Sequence, residues 1–142
     1  MNIKKQKIIS VMLVVTLFFT LAISASARAS DYIARASVSA SSSGNGRISI
    51  EVKTLATGVM QEIGALTVVV SEKISEGNYQ PVYTFTRNQY RNLVVKNRRS
   101  YSNMLTYQGT AGKSYYITAQ CYAKNVNGSG TTWVGSNIVK AN

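Results

Sequence analysis

The sequence predicts an all-β domain, an antiparallel β-sandwich of about seven strands that follows a cleaved secretory signal peptide. Three observations predict it. Past position 29, apolar and polar side chains alternate in short runs, the period of a half-buried strand. Clusters of Gly, Asn and Ser punctuate those runs at near-regular spacing. The apolar spacing of an amphipathic helix is missing after the leader.

The leader comes first. Lys4, Lys5 and Lys7 form a positive head, the uncharged apolar run Ile8 to Ile23 follows, and Ser24-Ala25-Ser26-Ala27 closes it with small residues. That order is a signal peptide over 1–29, with cutting before Ser30 or before Arg28. An uncut signal anchor is the alternative, against which the short apolar run and the small-residue exit both argue. Cutting before Ser30 removes 29 of the 142 residues and leaves a domain of 113, residues 30–142. A chain of that size buries about two-thirds of its unfolded surface. It must do so without cross-links, because Cys121 is the only cysteine. The expected destination is outside a Gram-positive cell, secreted and held at most non-covalently to the wall. No lipid-anchor cysteine, apolar tail or basic stop-transfer run is present to tie it down or insert it in a membrane after cleavage.

The strands follow in order. Tyr32 to Ser41 alternates weakly, with Ala36, Val38 and Ala40 on one side and Arg35, Ser37 and Ser39 on the other. Asn45-Gly46 is the strongest short-range hairpin signal, and Ile48, Ile50 and Val52 then alternate with Arg47, Ser49, Glu51 and Lys53. Leu55 to Ile63 is expected as a connection, broken at Gly58 and carrying a helical turn at Met60–Glu62. Gly64 opens a third strand with Leu66, Val68 and Val70 on one face. A turn at Ser75-Glu76-Gly77-Asn78 leads to a fourth strand, Tyr79 to Arg87, placed at an edge by Pro81 because proline cannot donate to a ladder. Asn88 to Ser100 reads equally as a short strand or a basic loop. Tyr101 to Tyr107 alternates again. The best strand is Tyr115 to Ala123, with Tyr115, Ile117, Ala119, Cys121 and Ala123 inward and Tyr116, Thr118, Gln120 and Tyr122 outward. A turn at Asn125–Gly130 and a last strand, Thr131 to Lys140, complete the chain.

The corner Gly109-x-x-Gly112-x-x-Tyr115, with the alternating strand, Gly-rich hairpin and final strand after it, resembles the E–F corner and F–G hairpin of immunoglobulin-like and fibronectin type III-like domains. The likeness covers the last third of the chain and implies an Ig-like sandwich, without that family's cysteine pair or third-strand tryptophan. Through Met60-x-x-Ile63-Gly64-Ala65 and the Tyr107 to Tyr115 corner, the whole chain also resembles small signal-peptide-bearing proteins of Gram-positive bacteria, grouped as a domain family of unknown function. That resemblance implies secretion and a small β domain, and no activity.

The chemistry available is narrow. With no histidine, Ser–His–Asp and Cys–His sites are impossible. The five carboxylates are Asp31, Glu51, Glu62, Glu72 and Glu76. Nothing in their spacing pairs Glu62 with Glu72 as a glycosidase would need. No acidic loop suits calcium, and no Gly-rich loop precedes a helix to cradle a nucleotide. Cys121 reads as an apolar filler of the core. The expectation is a protein without enzyme activity, cofactor or metal.

Charge offers more. The formal net charge is +11. Removing Lys4, Lys5, Lys7 and Arg28 with the leader leaves twelve basic against five acidic residues, a net +7. Arg87, Arg91, Lys96, Arg98 and Arg99 concentrate the excess in one segment. Such a surface attracts polyanions, or simply keeps an exported domain soluble. All nine tyrosines lie past the leader. They pack across strands, or they offer rings beside polar groups to a sugar or a protein, with Tyr116, Gln120 and Tyr122 as the candidate platform. The leading expectation is a binding module for an anionic cell-wall polymer, a glycan or a surface protein. Single-stranded nucleic acid, which stacking plus charge at Arg87, Tyr90, Arg91 and Tyr101 would also suit, is disfavoured because such sites are usually sheet faces of other folds. A cationic bacteriocin-like or antimicrobial protein and an extracellular structural or assembly subunit are the alternatives.

Overall fold

The computed structural model describes residues 31–142; the expected signal peptide lies outside them. Seven antiparallel strands form a single sheet: β1 (Ile33–Gly44), β2 (Arg47–Ser75), β3 (Asn78–Thr86), β4 (Val94–Gln108), β5 (Ser114–Asn125), β6 (Gly128–Gly135) and β7 (Val139–Lys140). One 3-10 turn, Arg91–Leu93, precedes β4.

The all-β, antiparallel expectation holds. Its division into two separate sheets does not, because β2 runs unbroken for 29 residues and belongs to both halves. Its first limb pairs with β1 and β4 (Val38↔Val52↔Asn103), and its second with β3 and β5 (Val68↔Phe85 and Val68↔Ala119). Leu55–Ile63, expected as a connection with a helical turn, is the bend of this strand. Between Leu55↔Ser100 and Met60↔Arg98, β2 contains three more residues than β4, and Asn97, next to Arg98, takes a left-handed φ of 56°. Extra residues on one side of a ladder force it to coil. The two limbs are tied where they meet, since the buried Thr54 Oγ1 donates to the Gly64 carbonyl at 3.0 Å.

The coiled sheet folds back until β1 lies against β5, β6 and β7. Between them sits one core: Ile48, Ile50 and Val52 from the first limb, Ile63, Val68 and Val70 from the second, and Tyr115, Ile117, Ala119, Cys121 and Ala123 from β5. The inward face of β5 is the one its alternation predicts. Cys121 is fully buried and burial pushes its thiol up, away from the reactive thiolate. In β2, a bulge after Ala65 puts Ala65 in the core and leaves Leu66 half-buried, one residue off the predicted face. Core residues among those described run from Ile33 to Ala141.

Polar groups complete the closure. The Asn137 side chain donates to the Ala40 carbonyl at 3.0 Å and accepts the Ala40 N–H at 3.2 Å, pairing with the free edge of β1 as a neighbouring strand would. It does so from Ser136–Ile138, which interrupts the predicted last strand. At the corner before β5, the Tyr115 hydroxyl accepts the Thr110 N–H at 2.8 Å. β3 pairs only with β2, as Pro81 requires.

Candidate binding site

β3 ends opposite Thr67, just past the bend of β2, and the chain returns through the 3-10 turn into the start of β4. This route carries the basic segment around the outer face of the second limb. The segment is neither wholly strand nor wholly loop. Arg87 follows β3, Arg91 sits in the 3-10 turn, and Lys96, Arg98 and Arg99 are on β4. Three of the five converge. Arg87, Arg91 and Lys96 line a cleft of about 350 Å3 with Asn88, Val94 and one carboxylate, Glu62.

Glu62 organises the cleft. It lies between two cross-strand lysines, Lys96 on β4 and Lys124 on β5. Its Oε1 accepts from the Arg87 guanidinium at 2.9 Å and its Oε2 from the Tyr122 hydroxyl at 3.0 Å. The guanidinium also stands over the Tyr122 ring, 5.7 Å from its centroid. The bond from Arg87, then that from Tyr122, holds the Glu62 carboxyl below the usual carboxylate range. Burial, reinforced by the bond to Glu62, pushes the Tyr122 phenol up. One carboxylate faces three cleft cations, so the cleft stays net positive.

Among the described residues four ion pairs form, Lys53–Glu51, Lys73–Glu76, Arg87–Glu62 and Lys113–Glu72, and none engages Arg91, Lys96, Arg98 or Arg99. Glu62 and Glu72, which their spacing gave no reason to pair, are not brought together. They lie ten residues apart on one strand, roughly 30 Å along it, and each is tied to its own cation. The described residues hold no group of three His, Cys, Asp or Glu able to grip a metal.

The tyrosine platform needs correcting. Tyr122, expected on the solvent side, is only 8 % exposed because Arg87 covers its ring and Glu62 holds its hydroxyl. Tyr116 is half-buried, with its ring 5.6 Å from that of Tyr79. Several other tyrosines fill space between β3, β4 and β5, where Tyr83, Phe85, Tyr90, Tyr107 and Tyr115 form a chain of ring contacts. Gln120 remains on the outer face, half-buried. Sequence reasoning missed Glu62 and Trp133 as site residues. Trp133, directly across from Gln120 on β6, is 56 % exposed. The available signal was the pattern of β6 itself, where this lone ring stands among Gly, Ser and Thr.

No protein-family model and no curated protein matches this chain.

Proposed function

We propose that the exported domain is a non-catalytic binding module for an anionic polymer of a Gram-positive cell surface, engaged by the cleft of Arg87, Arg91 and Lys96. The observation that carries this reading is the convergence of three cations from three segments on one hollow whose sole carboxylate is already occupied by Arg87. An arriving anion meets Arg91 and Lys96 without breaking an ion pair first. Arg98 and Arg99, further along β4, extend the positive field. The Tyr115 corner, with its hydroxyl on the Thr110 N–H, supports an immunoglobulin-like kinship for the C-terminal part.

The test is retention of the purified exported form on isolated Gram-positive walls. Exposed charge pairs are each worth about 0.2–1 kcal/mol, so reversing Arg91 and Lys96 together (R91E/K96E) weakens retention about tenfold at low salt. Wild-type retention falls steeply as salt rises past about 0.1 M, where the Debye length shrinks to about 10 Å. Retention that ignores both salt and the double reversal rejects the reading.

A further inference from the structure

The molecule's only tryptophan is held out to solvent rather than placed in the core, against the high average burial of this residue. Its surroundings are specific. Cross-strand partners share a sheet face, so the row Trp133–Gln120–Thr67–Thr86 runs across β6, β5, β2 and β3 on the outer side. Toward the bend, the next row is Thr131–Tyr122–Gly64–Val94, and the one after it is Ser129–Lys124–Glu62–Lys96. The exposed indole therefore stands on the same face as the basic cleft. The Trp133 row lies four residues along β5 from the Glu62–Lys96 row, about 13 Å, and β6 stands three strands from β4, about 14 Å, so the two are about 20 Å apart, which a short oligosaccharide spans.

Away from the bend, the floor is shaped by close packing. A Cβ at Gly135 would run into the Tyr116 hydroxyl, so glycine lets Tyr116 reach across onto β6, two residues along from Trp133. Tyr79 supports Tyr116 from its other side. Among the described residues nothing hydrogen-bonds the Gln120 side-chain amide, which leaves a donor and an acceptor free beside the indole. An electron-rich ring face meets the weakly positive C–H groups of a pyranose, and an adjacent amide bonds its hydroxyls. No charged side chain lies in the Trp133 row, so this end favours the neutral part of a ligand.

We propose that Trp133 and Gln120 form a saccharide subsite continuous with the basic cleft. The ligand is then a glycopolymer whose sugar ring stacks on Trp133 while its anionic groups enter between Arg91 and Lys96. This rests on the polyanion reading above and narrows it to a sugar-bearing polymer.

Because Trp133 is the only indole, intrinsic emission of the exported form reads its occupancy directly. Two probes separate the halves: neutral oligosaccharides of glucose, N-acetylglucosamine, galactose and mannose at millimolar concentration, and inorganic polyphosphate. At least one neutral oligosaccharide is expected to shift the emission, independently of salt. Q120A, which keeps the reporter, weakens that response about tenfold. By calorimetry, W133A loses neutral-sugar binding and keeps polyphosphate binding, while R91E/K96E does the reverse. Emission and calorimetry blind to every neutral oligosaccharide overturn the subsite, and polyphosphate binding in the same preparation leaves the cleft reading standing. If a sugar binds but polyphosphate does not, the subsite survives and the polyanion reading falls. Equal loss of both ligands in a W133A protein whose far-ultraviolet circular dichroism matches wild type also overturns the proposal, since Trp133 then does not serve a separate sugar subsite.

Discussion

Two glycines in β2 carry opposite expectations for one chemical change. Gly64 sits where the limbs meet, with φ at +151° in a region that residues bearing a Cβ rarely adopt. A Cβ there would meet the Leu93 carbonyl oxygen, with the Leu93 carbonyl carbon at 2.9 Å and the Val94 Cα at 3.0 Å. All three are backbone atoms, so no side-chain rotation relieves the clash. The disfavoured backbone costs about 1–3 kcal/mol. Overpacking against the immovable 3-10 turn costs about 1–3 more. Gly64→Ala is thus expected to destabilise by about 4 kcal/mol, a large part of the 5–15 typical of a domain. Gly58, six residues earlier, has nothing within 4 Å of its added Cβ and no left-handed φ. Gly58→Ala should be neutral or stabilise by about 0.4–1 kcal/mol through the unfolded chain. Urea titration followed by far-ultraviolet circular dichroism measures both. If Gly64→Ala falls within about 1 kcal/mol of wild type, or Gly58→Ala costs as much, the account of the bend is refuted.

Two further changes test other ties in the fold. Glu62 titrates below 4.5 in the folded protein, so its contribution is complete above that value and disappears as pH falls through the lowered one. Glu62→Gln should cost about 1–2 kcal/mol at neutral pH, and the gap from wild type should close on acidification below about 4.5; equal gaps at pH 7 and pH 3 in chemical denaturation would contradict this. Asn137→Ala leaves the Ala40 N–H and carbonyl unpaired at the edge of β1, for an expected loss of about 2 kcal/mol and faster amide exchange at Ala40. Unchanged exchange at Ala40 would show that the side chain does not close that edge.

What was legible in the sequence was local. The Asn45-Gly46 turn, the inward face of β5, the edge placement of Pro81 and the corner at Tyr115 are all written in neighbouring residues. Side-chain period and turn chemistry act over a few positions, and nothing distant contradicts them here. The clustering of basic residues was equally plain. That three of them would share a hollow with Glu62 was not.

Only the tertiary structure decided the rest. Leu55 to Ile63 has the look of a linker, yet it is extended because partners from both halves pair with β2, as Thr54↔Tyr101 and Glu62↔Lys124 show. The same long-range pairing brings Arg87 over Tyr122, turning an expected surface ring into a buried one. It also sets Trp133 in line with Gln120 and the cleft on one face. A hydrogen-bonded ladder joins residues dozens of positions apart, and periodicity within a strand states which side is apolar without stating which strand lies alongside. The identity of the neighbour, and hence the site, emerges only when the sheet closes.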